Sequence, residues 1–480
     1  MEKMFKIKER NSTIRTEIIG GLTTFFAMAY IVFVNPNQVA AGGISGWLVV
    51  EHGADAASIG QIWNATYIAS ILVAIIGTLL MAFYAKMPFA QACGMGLNAF
   101  FCTTFVAGAF FNGVDVIKGY QAGLVIILLS GIIFLLLSVT GLREYIAKGM
   151  PDCLKKAIPA GIGLFIAFIG FQNVGIIQTN PYTLVQFVDI HGAIEGGTVS
   201  AILPALIALL GLIIIAVLGK YGVKANVILG IVITTVIYYL ATWTVPSFDI
   251  SAIGQSFKDF GSIGVTGVFQ AESWKNAFVG ANIGGVFNAI VLVISFCLVD
   301  MFDTIGTLYG TASEANMLDE KGDPINVGKC MMADSIGTCA GAILGTSTCT
   351  TFVESAAGVG AGARTGFASV ITALCFAICL FLSPLASIIP AAATAPALIY
   401  VGILMLRNFG KVDMKDLASA VPAFLTLIMM PLTYSISNGI GIGCIAYTLI
   451  ALFTGKFRKK DIVVAVISLL FIFRFILVTM

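Results

Sequence analysis

A run of about 20 largely apolar residues is long enough to cross a bilayer as a helix, and this sequence offers fourteen candidates, some short or interrupted. The first half holds 17–38, 64–85, 89–106, 120–140, 157–177, 200–219 and 224–245. The second holds 285–309, 329–346, 347–362, 364–383, 389–406, 416–434 and 438–455. Recurrence on this scale excludes a soluble globular fold: charged residues are 10% of the 480 and hydrophobic ones 59%, against about 25% charged in soluble domains. The expectation is an all-α polytopic membrane protein with the lipid bilayer as its first partner. A net charge of +2 gives no sign of a nucleic-acid partner. The ten cysteines lie mostly inside apolar segments without a CxxC pair, so they read as small buried hydrophobes rather than disulfides.

Basic residues orient the segments. With the N-terminus cytoplasmic, Lys86, Arg143, Lys148, Lys155, Lys156, Lys220, Lys224, Lys321, Lys329, Arg364, Arg407, Lys411, Lys415 and the Lys456 to Lys460 cluster fall on inner turns. Only Lys118, Lys258 and Lys275 fall on outer ones. This positive-inside bias supports fourteen crossings of a plasma membrane with both ends of the unit cytoplasmic. Seven segments per half is an odd number, so two similar halves have opposite orientation, the inverted-repeat plan of many secondary transporters. The last apolar run, 461–480, is long enough to cross once more but carries Arg474. A further crossing and an interfacial helix both fit it.

One stretch cannot be an ordinary spanning helix. Gly345 to Arg364 reads GTSTCTTFVESAAGVGAGAR, with hydroxyl residues from Ser347 to Thr351, one carboxylate at Glu354, and Gly358, Gly360 and Gly362 behind it. Glycine costs about 1 kcal/mol in a helix relative to alanine, and a carboxylate at bilayer depth roughly 2.5–3.5 kcal/mol. Irregular backbone is tolerated there only where it is buried in protein or lines a cavity. The expectation is an extended piece followed by a half-helix at an internal site. The third segment, PFAQACGMGLNAFF from Pro88, has the same grammar: an extended run over Phe89 to Cys93, then a half-helix carrying Asn98. Matching interruptions in two halves point to a substrate site.

The eighth segment reads VLVISFCLVDMFDTIGTLYG, placing Asp300 and Asp303 three residues apart, with Thr304 and Thr307 each four beyond one of them. Spacings of three and four share a helix face, which predicts one polar stripe. Two ionised carboxylates so close repel, and the relief a proton brings suits a proton carrier. Glu354 also completes a capping-box pattern with Thr351, and a half-helix start directs N–H groups toward whatever fills the cavity. Around Glu354, Thr351, Phe352 and Ser355 complete the candidate contacts, and Phe89, Phe100 and Phe352 are candidates to cover a flat ring. The run from Gly358 lacks the GK[ST] ending of a phosphate loop. His52 and His191 stand in outer loops without partners for a metal site or a triad. Nothing here indicates an enzyme, a resident metal or a cofactor.

Four stretches resemble the nucleobase:cation symporter 2 superfamily, specifically its AzgA-like hypoxanthine/guanine branch: GGLTTFFAMAYIVFVNP, GMGLNAFF, DMFDTIGTLYG and GTSTCTTFVESAAGVGAGARTG. The resemblance implies fourteen segments in a 7+7 inverted repeat, with short strands in segments 3 and 10 meeting at the substrate. It divides the chain into a core domain (1–140 and 285–383), a gate domain (157–245 and 389–455) and an apolar extension at 461–480. It further implies proton-coupled purine import, by a homodimer, through movement of the core. Asp300 and Glu354 take the place of the carboxylates that hold the purine, and Asn98 that of a polar partner. Asp303 takes that of a second acid linked to proton coupling. Where related branches follow the segment-10 acid or amide with Asn, this chain has Ser355, so that contact does not transfer. The rivals are an adenine permease of the same family, an anion carrier of similar fold, disfavoured by three carboxylates, and a membrane sensor, for which no soluble signalling domain is present.

Overall fold

At membrane depth no water satisfies the main chain, so a spanning segment closes its own hydrogen bonds by coiling into a helix. The computed structural model of the protein describes every residue except 1, 44–45, 51, 142–148, 181, 247–249, 280–284, 315–316, 319–323 and 478–480. Arg143, Lys148 and Lys321 of the orientation pattern lie outside the described residues. Eight described helices are long and apolar enough to cross: Ile14–Val39, Ala56–Ala85, Val116–Thr140, Asp152–Asn173, Val199–Lys220, Val286–Leu308, Ala391–Lys411 and Ile436–Phe453. Four shorter apolar helices, Met95–Phe111, Asn226–Thr242, Gly366–Cys379 and Leu417–Leu432, occupy further expected segments. The helix Val327–Leu344 and the broken stretch after it occupy the remaining two.

The two interrupted segments meet. Gln91–Cys93 pairs antiparallel with Cys349–Thr351 in the register Gln91↔Thr351, Ala92↔Thr350, Cys93↔Cys349. The ladder runs on through Phe352 N–H to Ala90 O at 3.0 Å and Gly94 N–H to Thr348 O at 3.2 Å. Each strand then opens a short helix, Met95–Phe101 or Ser355–Gly360. A two-stranded ribbon has two open edges, and both are closed by threonines. Thr78 Oγ1 accepts from Gln91 N–H at 3.0 Å and donates to Gln91 O at 3.2 Å. Thr338 Oγ1 accepts from Cys349 N–H at 3.0 Å.

Each threonine follows a glycine, and that pairing explains the close approach. A Cβ at Gly77 would lie 2.6 Å from Gln91 Oε1, and one at Gly337 would lie 2.8 Å from Cys349 Sγ. Equivalent Gly-Thr pairs from the two halves thus clamp the ribbon from opposite sides.

The C-terminal run forms the helix Ile462–Leu477, antiparallel to Ile436–Phe453. Thr448 and Ser468 share a hydrogen bond of 2.9 Å midway. At the far end Arg474, 8% exposed, donates to Ser437 Oγ at 3.0 Å, Asn438 Oδ1 at 3.1 Å and Asn288 Oδ1 at 3.1 Å. The helix therefore lies alongside the last candidate span along its length, as a further crossing would, and its one cation is hydrogen-bonded by neutral side-chain acceptors. Site-directed labelling checks this: an impermeant thiol reagent is expected to reach Lys459→Cys and a cysteine added after Met480 from opposite faces of sealed vesicles. Labelling of both from one face would return the helix to the interface.

Candidate functional site

Along Val286–Glu314 the polar stripe expected from the sequence resolves into two rows. Residues three apart sit about 60° apart around a helix of 3.6 residues per turn, enough to send Asp300 and Asp303 to different neighbours. Asp300 turns to the strand ribbon: it is fully buried and its Oδ2 accepts from Thr338 Oγ1 at 2.8 Å. Thr304, one turn on, is 3.1 Å from Thr350. Asp303 and Thr307 instead line a cavity.

That cavity has a volume of about 430 Å³ and contains both Asp303 and Glu354 in its wall, with Tyr400 as its aromatic residue and Lys224, Arg407 and Lys411 also lining it. The size lies in the range of about 300–1,000 Å³ usual for small-molecule sites. The cations mark the end that opens on the basic face, and the acids come from the interrupted segment and its helical neighbour.

Glu354 owes its position to the ribbon, being the third residue after Thr351 and the N-cap of Ser355–Gly360. The capping-box expectation fails: Thr351 Oγ1 donates to Asp334 Oδ1 at 3.0 Å, and Glu354 Oε1 accepts from Tyr30 O–H at 2.6 Å. Glu354 Oε2 has no hydrogen-bond partner. The expected free N–H groups are also engaged, since those of Ser355, Ala356 and Ala357 donate to the carbonyls of Phe352, Val353 and Glu354 at 2.9–3.1 Å. A six-residue helix closes its first turn tightly and keeps little donor capacity for a ligand. Tyr30 stands at the break between Ile14–Met28 and Ile31–Val39, and the sequence gives no signal that it reaches Glu354.

The remaining expected residues surround the ribbon, outside the lining of this cavity. Asn98 Nδ2 donates to Asn35 Oδ1 at 2.9 Å, and Asn98 Oδ1 accepts from Ser347 O–H. Ser355 Oγ accepts from Ala90 N–H at 3.0 Å. Phe352 is buried and extends the ladder through its main chain. Phe100 stacks on Phe296 with ring centroids 4.4 Å apart, and Phe89 is fully buried. The sequence reading also passes over Asp334, fully buried, whose Oδ1 accepts from both Gln91 Nε2–H and Thr351 O–H. Its signal is the one that singles out Asp300: a carboxylate inside an apolar segment is costly and needs a reason.

Comparison with known proteins identifies the scaffold. A family description, "Permease family", matches residues 15–442. The chain is 39% identical to the guanine/hypoxanthine permease PbuG of Bacillus subtilis (strain 168), over 99% of this chain and 99% of that one. It is 34% identical to the adenine permease AdeP of Escherichia coli (strain K12), over 100% of this chain and 96% of that one. In three dimensions it is similar to the transmembrane domain of a cyanobacterium bicarbonate transporter, BicA, with a TM-score of 0.57 at 15% identity, covering 95% and 97% of the two chains. That last likeness shows the fold alone.

The hydrogen bonds behind the cavity make a stability prediction. Thr338→Val keeps the side-chain volume but removes the donor to Asp300 and the acceptor for Cys349 N–H. It is expected to cost about 1–3 kcal/mol, read as a fall of several degrees in Tm of the detergent-solubilised protein. Thr307→Val, on the cavity side of the same site, is expected to change Tm far less. Equal Tm values for the two variants would contradict the division into a buried row and a cavity row.

Proposed function

The chain belongs to the nucleobase:cation symporter 2 permeases, and from that premise we propose that it imports purine nucleobases, hypoxanthine and guanine foremost, together with protons across the plasma membrane. The observation that carries the reading is Glu354: one carboxylate oxygen is held by Tyr30, while the other has no partner in a residue that lines a cavity shared with Asp303. Hypoxanthine and guanine present ring N–H donors, and guanine adds an exocyclic amine beside N1–H. A carboxylate accepts such donors through charge-assisted bonds worth about 1.5–3 kcal/mol each. Tyr30 fixes the carboxylate, so little ordering remains to be done when the base arrives.

Asp303 and Glu354 are the acids that line this cavity, both half-buried, and we assign the coupling proton to Asp303. Coupling requires that proton and base each favour the other's binding: a neutral Asp303 removes like charge from beside Glu354, leaving the full carboxylate to meet the base. Asp300 then acts from behind, tied to Thr338 and the ribbon, as a positioning acid. With the basic face cytoplasmic, the cavity is open inward, and displacement of the core against the gate would present the same residues outward. Assembly as a homodimer belongs to the same reading and rests on family likeness. An anion as substrate is disfavoured beside the Asp303 and Glu354 carboxylates themselves, the three cations of the same cavity marking its open end. Adenine is the competing purine, because a relative of nearly the same length is named an adenine permease.

In cells lacking their own purine permeases, Glu354→Gln is expected to lower labelled hypoxanthine uptake about tenfold or more, the factor that roughly 1.4 kcal/mol of lost affinity implies. The protein should still reach the membrane. Uptake unchanged in that variant removes Glu354 from the site. Asp303→Asn is expected to leave residual uptake that no longer falls when a protonophore collapses the gradient. Sensitivity equal to wild type would move the proton elsewhere. Guanine should compete with labelled hypoxanthine more strongly than adenine does, and the reverse order would favour the adenine reading.

A further inference from the structure

At the opposite end of the same seam lies a second cavity, of about 480 Å³, lined by Trp47, His52, Phe111, Gln172, Gln178 and Tyr434. The helix Asp152–Asn173 fixes the relation between the two, since its Pro159 lines the inner cavity and its Gln172 the second one. Thirteen residues at 1.5 Å each put them about 20 Å apart along the helix axis. Beneath the second cavity, sharing Trp47 and Tyr434 with it, a narrow throat is lined by Gln38, Thr103 and Asn173. The polar atoms here are the unusual feature. Gln38 is 6% exposed, and neither its Nε2 nor its Oε1 has a partner. Gln172 Oε1 and Asn173 Oδ1 are likewise buried without one. Buried polar groups are almost always paired, so the Gln38 carboxamide and the Gln172 and Asn173 oxygens have hydrogen-bonding capacity to offer a ligand that passes here.

We propose that this vestibule is a second nucleobase subsite, which a purine occupies before the core moves, and that the Gln38 throat is the closed outer half of its route. The proposal rests on the transport reading above and on the basic face being cytoplasmic. The chemistry selects a flat heterocycle with mixed donors and acceptors along its edge. A carboxamide offers one donor and one acceptor side by side, the arrangement that reads a purine edge bidentately in other settings. Trp47 and Phe111 lie nearly parallel, with ring centroids 6.2 Å apart and planes at 22°. That gap is too narrow to admit a base between them, so the base stacks on an outer face, and Phe111, 58% exposed, offers one. His52 packs edge-on against both rings and holds the platform together. A simple anion or cation would find no opposite charge in this lining.

Tryptophan fluorescence of the purified full-length protein in lipid nanodiscs reads the vestibule directly, because a base stacked beside Trp47 quenches it. Hypoxanthine is expected to quench wild type more than Trp47→Phe, and to keep quenching Glu354→Gln, in which the inner site is disabled. Gln172→Leu combined with Gln178→Leu, both at the cavity's rim, is expected to weaken the Trp47 quench about tenfold in concentration, as one lost bidentate contact implies, and to raise the uptake KM by a similar factor with kcat little changed. Quenching that disappears in Glu354→Gln and is untouched by the glutamine pair overturns the subsite while leaving the transport reading in place. Wild-type protein that neither takes up nor binds any purine overturns both.

Discussion

The arrangement turns on a requirement of the main chain: a strand placed at membrane depth has to find a hydrogen bond for every N–H and C=O it exposes. Here the two halves solve it jointly. Each supplies one three-residue strand, and each supplies a Gly-Thr pair whose glycine lets a helix approach and whose threonine caps a strand edge. Neither strand is satisfied without the other half, so the ribbon forms only when both halves are folded against each other. The half-helix behind each strand is then fixed in space, and Glu354 takes its position from that pairing.

Burial of several carboxylates in one place is the cost of this arrangement, and their partners show how it is met. Asp334 accepts from two side chains that sit on the two paired strands, Gln91 and Thr351, so it acts as a cross-tie of the ribbon. Asp300 is held by the same threonine that caps a strand. Each of the three keeps one carboxylate oxygen without a partner, so spare acceptor capacity does not separate them. Position does: Asp300 and Asp334 face the ribbon, whereas Glu354 lines the cavity, and cavity access orders the acids better than sequence position does.

Much of this was legible in the sequence, for physical reasons. Apolar length revealed the helices, and glycines with hydroxyls inside an apolar chain revealed both interruptions, because each violates a strong rule of the membrane interior. Helical spacing placed Asp300 and Asp303 near each other but could not say that a 60° offset sends one to the ribbon and the other to the cavity. That depends on which neighbours pack there. Tyr30 and Asp334 were missed for a related reason: their roles come from partners 324 and 17 residues away, and neither spacing is a local pattern. The outer carboxamides were invisible as a group, since Gln38 and Asn173 line one throat, with Gln172 in the adjoining cavity, only when two separate helices meet.

The polar ties along the seam bear on how a core could move against a gate. Hydrogen bonds between the two expected domains include Lys224 Nζ to Ala357 O at 3.2 Å near the basic face and Ser295 to Ser437 at 2.8 Å. Arg474 adds a bridge, reaching Asn288 on one side and Ser437 with Asn438 on the other. The ribbon's own bonds, by contrast, all stay within the expected core. Any displacement therefore breaks a few side-chain ties at the seam while leaving the strand pairing, and with it the position of Glu354, intact. The Lys224 tie is exposed, where water can replace it. Ser295, Ser437 and Arg474 are buried, so sliding at that part of the seam has to break bonds away from water, which costs more.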